Sequence, residues 1–310
     1  PINLFLPEFK NLKVLKKEFH SIKDVKDVTN MPTIKELLLH TAGFSYNFLD
    51  NAVGREYNRK KIFYSEDTTL EEEIKILSTC PLMHEPSTKW EYSVSIDVLA
   101  RIVEVILKDK LYNILEKRIF DPLDMIDTGF FIDQDQETRL VSTYEYFPLE
   151  KKLDIPSIQK IGLYGYPINN MNYSRGGHGL YSSIDDYFNF AEMLLTGKSR
   201  SGKKILSDKM LKLASTNLLD DSYLPLEIPV PGSENLENEL EPYGWGLGFR
   251  VLINLEKIKN IGSLGEFGWS GAAATYFFVD PKNDLIGILM TQVLGALPNL
   301  KTDFRQAIYN

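Results

Sequence analysis

The hydrophobic period of this chain changes once, near residue 200, and that change fixes its fold class. Before it, apolar residues recur at helical spacing; after it, short runs rich in β-branched and aromatic residues sit between turn residues. The strongest helical stretch, Ser95 to Lys108, carries Val98, Leu99, Ile102, Val103 and Ile106 on one apolar stripe. Thr33 and Glu36 form a capping box that opens a helix through Leu37, Leu38 and Leu39, stopping near Gly43. Thr68 and Glu71 repeat that pattern ahead of a helix ending before Pro81. Leu111 to Phe120 reads as a helix closed by Asp121-Pro122, and Ser183 with Asp186 caps one through Leu195 that ends at Gly197. The first 30 residues, apolar mixed with Lys and Asp up to Met31-Pro32, are expected to run along the surface.

Beyond residue 200 the predicted strands are Leu247–Leu255, Ala274–Asp280 and Leu285–Gln292, with a hairpin connection over Asp280–Asp284 and an amphipathic helix over Leu300–Tyr309 covering one face. Residues 218–242, acidic and proline-rich, are expected to form a surface excursion. The chain therefore reads as α+β: a mainly helical region over residues 1–200, then an antiparallel sheet with a C-terminal helix over 201–310, without βαβ alternation.

Composition removes several functions. With 35 Lys and Arg against 43 Asp and Glu the net charge is −8, the wrong sign for releasing counterions from a nucleic acid. No run approaches the ~18 apolar residues of a membrane span. Cys80 is the only cysteine, and His20, His40, His84 and His178 show no His-x-x-x-His spacing. Neither a disulfide nor a metal centre is expected, and no cofactor is implied.

Three segments could carry chemistry. Tyr92, in Trp90-Glu91-Tyr92-Ser93-Val94-Ser95, enters the N-terminus of the strongest helix, where the dipole favours a phenolate; alternatively it packs with Trp90. Glu266–Thr275 crowds small residues at a strand start, either to let a ligand approach backbone N–H groups or to relieve packing at a sheet edge. Within it, Gly268-Trp269-Ser270-Gly271-Ala272 is not a nucleophile elbow, because a strand rather than a helix follows. Arg175–Ser183 is rich in glycine but lacks both phosphate-binding patterns. It is expected to let the chain turn tightly, with His178 as a possible proton carrier.

These segments, in this order, resemble the serine β-lactamase-like hydrolases of the class C and penicillin-binding-protein group, within them the esterase branch. The resemblance rests on Leu37–Gly43, Pro86-x-x-x-Trp90-x-Tyr92-Ser93, Ile119–Thr128, Gly177–Tyr187 and Trp269-Ser270-Gly271-Ala272. It implies a fold of antiparallel sheet flanked by helices plus a mainly helical region, and an acyl-enzyme mechanism on a small ester or acyl substrate. It implies Tyr92 as general base and the N–H of Ala272 as half of an oxyanion hole. Val94 stands where the family has Asn, and Trp269-Ser270-Gly271 where it has Lys-Thr-Gly, so Trp269 becomes a pocket wall beside Ser270 and Gly271. Both losses favour an ester over a β-lactam.

One departure is large. The family's nucleophile is the Ser of Ser-x-x-Lys, spaced so that both face one side of a helix. Ser157–Lys160 and Ser201–Lys204 have the spacing, but both follow Tyr92 and neither opens an apolar-faced helix. The nucleophile helix and two strands, together with any targeting peptide, are expected upstream of Pro1, leaving the 310 residues inactive on their own. The competing expectation is a catalytically dead binding or scaffold protein, and the reading frame upstream of Pro1 separates the two.

Overall fold

The computed structural model describes residues 1–17, 21–63, 68–147, 150–155, 173–229, 238–295, 297 and 299–310. In chain order its elements are β1 (Lys13–Leu15), β2 (Val25–Asp27), α1 (Ile34–Leu38), α2 (Ala52–Arg59), α3 (Leu70–Leu77), α4 (Ser95–Leu107), α5 (Leu111–Leu115), α6 (Gln134–Glu137), β3 (Tyr144–Phe147), β4 (Lys152–Asp154), α7 (Ile184–Thr196), α8 (Asp208–Ala214), β5 (Tyr243–Trp245), β6 (Arg250–Leu252), β7 (Phe267–Ser270), β8 (Tyr276–Asp280), β9 (Leu285–Leu289), β10 (Val293–Leu294) and α9 (Leu300–Tyr309). They group into two units. The first comprises Pro1–Ile114, Met171–His178 and Leu218–Gly248; the second comprises Leu115–Asn170, Gly179–Asn217 and Phe249–Asn310. No helix among the described residues is long and apolar enough to cross a membrane.

In the first unit the leading segment is core, not surface. Ile2, Leu6, Phe9 and Leu12 are buried at helical spacing through two 3-10 turns, and Phe9 meets Phe44 edge to face at 5.9 Å. The chain then forms β1, which pairs antiparallel with β2 and exchanges backbone bonds with Leu82. Strands before residue 200, β1 and β2 here and β3 and β4 in the second unit, correct the helices-and-loops expectation. They are three or four residues long, too short for a visible period. The capping box of α1 is present on Thr33 and Glu36. That of α3 lies one residue later than expected, on Thr69 and Glu72, because Thr68 is engaged elsewhere: its hydroxyl donates to Glu73 Oε1 at 2.5 Å.

Helix α4 follows its predicted span, with Lys108 capping it in a left-handed turn. Its buried face is shifted from the apolar stripe. Val98, Ala100 and Ile102 are buried, but Ile106 is 52% exposed, and the carboxylates Asp97 and Glu104 are inside. Glu104 accepts from Leu111 N–H at 2.9 Å and pairs with Arg101. Asp97 Oδ1 accepts from the N–H groups of Gly176 and Gly177 at 2.9 and 3.1 Å. That contact explains Gly176 and Gly177, while Gly179, at φ 101°, makes the turn expected of the 175–183 loop. A Cβ on Gly177 would stand 2.5 Å from the Tyr46 hydroxyl and 2.8 Å from Asp97 Oδ2, so close approach excludes a side chain. Arg175 is a buried pin: its guanidinium pairs with Glu73 at 3.2 Å, donates to Thr68 O at 2.8 Å and lies 4.1 Å over the Tyr173 ring. The flanks of the acidic 218–242 stretch are not a free excursion either, since Leu219, Leu226 and Leu240 are buried. Residues 230–237 and the Ser157–Lys160 segment lie outside the described residues.

In the second unit β6, β7, β8 and β9 form an antiparallel meander, with the expected hairpin between β8 and β9 at Asp280–Asp284; β7 lies outside the predicted strands. The predicted strands are shortened to β6, β8 and β9. Phe277 and Val279 face α7 and pack with Ala191, Leu194, Phe120 and Leu123. Tyr276 and Phe278, on the opposite face, meet Phe304 and, for Phe278, Tyr309 of α9. With both faces covered, all five residues of β8 are buried. Ser183 caps α7, which ends at Gly197 as expected. A buried polar lock fastens α9: Arg305 pairs with both oxygens of Glu266, and the Tyr309 hydroxyl contacts Glu266 Oε2 at 2.9 Å and Asp280 Oδ2 at 2.8 Å. Burial, followed by the Glu266 charge, pushes the Tyr309 phenol far above its ordinary range, so it stays a donor.

Two outcomes test these buried groups. Burial raises the Asp97 carboxyl to about 6 against an ordinary 3.8, partly offset by the Gly177 and Gly176 N–H groups and by Arg175. The folded state then binds this proton more tightly than the unfolded state. Stability is fully present below the unfolded value and falls as pH rises through about 6, by up to about 3 kcal/mol. Asp97→Asn keeps an oxygen on both N–H groups and should flatten that dependence in urea titrations at pH 4.5 and 7.5; an unchanged slope contradicts the assignment. Tyr309→Phe removes one donor from Glu266 Oε2 and Asp280 Oδ2, which keep Arg305 and Asn283, and should cost about 1 kcal/mol, read as a lower urea midpoint; a wild-type midpoint would show the lock to be idle.

Candidate active site

Tyr92, Val94 and His178 belong to the first unit, and Trp269, Ser270, Gly271 and Ala272 to the second. Each group is built by its own local structure.

Around Tyr92 two sequence motifs pair backbone to backbone. Glu91 N–H donates to His40 O at 2.9 Å, Val94 N–H to Ser45 O at 3.1 Å, and Ser87 N–H to Thr41 O at 2.8 Å. Gly43 makes the approach possible: its φ is 86°, and a Cβ there would lie 2.1 Å from His84 O. The segment preceding α4 is therefore a fixed strip rather than a loose loop. Tyr92 is half-buried on that strip, stacked on Tyr46 at 5.4 Å and 29°, with the His40 ring 4.8 Å away on a tilt. Trp90 instead contacts His40 and Trp245. Val94, fully buried, is the N-cap position of α4 and turns no polar atom outward.

His40, within the Leu37–Gly43 motif, organises this strip. Its φ is 54°, a left-handed conformation uncommon outside glycine. It is 2% exposed, and burial lowers its imidazole to about 3, so it is neutral at ordinary pH. Nδ1 accepts from the Ser93 N–H at 3.2 Å, which puts the ring proton on Nε2. The Ser93 hydroxyl lies 3.3 Å from the same nitrogen and 2.8 Å from Ser95 Oγ. A second network flanks it: Glu91 meets His84 Nε2 at 2.5 Å and accepts from Asn51 at 3.2 Å, while Asn51 also donates to Ser45 Oγ at 2.7 Å and caps α2. Tyr46 carried no signal in the sequence. Asp97 did, as a carboxylate set into an apolar run.

His178 lies beside the Tyr173 hydroxyl, 3.0 Å from Nε2, and meets Phe63 edge to face. Burial, aided by the Arg175 charge, lowers its imidazole to about 4, leaving it uncharged near neutrality.

In the second unit Trp269 and Ser270 end β7, and Gly271 to Ala274 form the turn into β8 rather than a strand start. Gly271 and Ala272 are exposed at its tip. The turn is braced: Gly271 N–H donates to Thr275 O at 2.8 Å, and Ala273 O accepts from Val293 N–H at 3.0 Å and the Thr291 hydroxyl at 2.9 Å. Trp269 packs onto the unit's core, and Ser270 Oγ accepts from the buried Arg250 at 3.0 Å. Arg250, set within an apolar strand run and stacked 4.7 Å over Tyr276, was not anticipated. The absence of an elbow holds, since β8 follows. Ser201, of the second Ser-x-x-Lys spacing, lies in an exposed turn with its hydroxyl 2.9 Å from Ser199 Oγ. No cluster of metal-ligating side chains occurs among the described residues.

Protein Rv1367c of Mycobacterium tuberculosis is 30% identical over 318 residues, covering 99% of this chain and 73% of that protein. Lovastatin esterase of Penicillium rubens is 28% identical over 295 residues, covering 89% of this chain and 69% of the enzyme. Among solved structures, EstCE1, a hydrolase with promiscuous acyltransferase activity, superposes with a TM-score of 0.76 at 23% identity, over 100% of this chain and 77% of that one. The β-lactamase family model matches residues 13–308, and the chain belongs to that family.

Proposed function

We propose that the chain is part of a serine hydrolase of the esterase type, working through an acyl-enzyme on small ester or acyl substrates. The observation that supports this most is the Tyr92 cradle: a tyrosine just before α4, stacked on Tyr46 with the His40 ring tilted against it, on a backbone strip bonded to residues 40–45. A relative named as an esterase favours the same reading.

In this mechanism a serine hydroxyl attacks the acyl carbonyl and its proton passes to Tyr92. The carbonyl oxygen gains charge and is met by the Ala272 N–H and the N–H of the nucleophile. Collapse expels the alcohol, which takes the proton back from Tyr92, and water then repeats the sequence to release the acid. Trp269 walls the acyl pocket, Val94 contributes no amide for a β-lactam side chain, and Ser270, Gly271 and His178 complete the substrate surface. The nucleophile is the Ser of a Ser-x-x-Lys motif outside residues 1–310, since neither internal spacing fits. No cofactor takes part.

In the full-length protein Tyr92→Phe should lower kcat on p-nitrophenyl butyrate at least about tenfold, the lower end of a general-base contribution; near-wild-type turnover refutes the assignment. Residues 1–310 alone should not hydrolyse the ester. Activity titrated by a serine-directed phosphonate would instead implicate a serine within them.

A further inference from the structure

We propose that His40 is the positioning residue of the Tyr92 base, holding the strip by accepting the Ser93 N–H at Nδ1 and setting its ring against the Tyr92 ring. This rests on the reading of Tyr92 given above.

Three observations converge on His40. The residue sits at φ 54° in a fully packed setting, a conformation that costs a non-glycine residue about 1–2 kcal/mol and persists only where its surroundings impose it. Its ring contacts Tyr92 at 4.8 Å, Trp245 at 5.2 Å and Trp90 at 6.2 Å, so it cannot rotate without displacing three aromatic neighbours. Its Nδ1 takes the N–H of the residue that follows Tyr92, at 3.2 Å. One side chain thus fixes both the backbone that carries the tyrosine and one side of the tyrosine ring. The imidazole is uncharged here, so its role is geometric: it supplies an acceptor and a flat face, not a cation that would lower the phenol.

The geometry also names the conservative variant. Asn carries an oxygen the same number of bonds from Cα as His Nδ1, and it tolerates the left-handed backbone. Leu matches the bulk without an acceptor. In the full-length protein, with p-nitrophenyl butyrate, His40→Leu should lower kcat at least about tenfold with KM little changed, because a displaced base costs turnover rather than binding. His40→Asn should recover most of that loss. A wild-type kcat for His40→Leu, or equal damage in both variants with unaltered melting temperatures, overturns the proposal.

Imidazole 15N spectra of the wild-type protein provide a readout that needs no variant to fold. They should show the proton on Nε2 alone from about pH 5 to 8, where an unperturbed histidine would titrate; a proton on Nδ1 overturns the proposal. Tyr92→Phe separates the two ideas. If that variant is active, the reading of Tyr92 as base has failed; if it is inactive while His40→Leu is not, only the positioning role has.

Discussion

The contact between His40 Nδ1 and the Ser93 N–H helps tie the strip that carries Tyr92 to residues 40–45. A backbone donor beside Trp90, Tyr92 and Trp245 has little water to turn to, and a buried donor left without a partner costs about 1–3 kcal/mol. The histidine satisfies it from a residue whose own backbone is left-handed, and the remaining bonds between 40–45 and 87–94 follow in register. Gly43 permits that register, because any side chain there would strike the His84 carbonyl. The start of α4 inherits its position from this strip, and so does Tyr92.

Elsewhere the interior is held by buried polar contacts as well as by apolar ones. Asp97 binds two successive N–H groups of the 175–178 segment, and Arg175 binds Glu73 from the other end of the same segment. In the second unit Glu266, at the entrance to β7, is gripped by Arg305 and Tyr309 of α9. Removing one member of such a pair is costly, about 3–5 kcal/mol where the partner stays buried. In each unit these pairs fasten the segments that carry the candidate chemistry, so stability and geometry there depend on the same atoms.

Much of this was legible in the sequence because the signals are local. The caps at Thr33 and Ser183, the period of α4 and the β8–β9 hairpin each depend on a few neighbouring residues. The five motifs of the resemblance led to Tyr92 and to the 269–272 segment. What stayed hidden depends on distant partners. The leading segment looks amphipathic in isolation, and only its packing, as between Phe9 and Phe44, makes it core. The cap of α3 moved from Thr68 to Thr69 because Thr68 serves Glu73 and Arg175, the latter more than 100 residues away. His40, Tyr46 and Arg250 gain their roles only through residues brought near by the fold.

The family is that of β-lactamase, and the esterase chemistry is the reading that the Tyr92 strip and the braced Ala272 turn support. Its central claim is a covalent acyl-enzyme formed with Tyr92 as base. Rapid-quench intact-mass spectrometry of the full-length protein with p-nitrophenyl butyrate tests that step directly. The account predicts one acyl group per protein, on the serine of a Ser-x-x-Lys motif outside residues 1–310, formed far more slowly in Tyr92→Phe. An acyl group on a serine within residues 1–310, or turnover with no acylated protein, would contradict it.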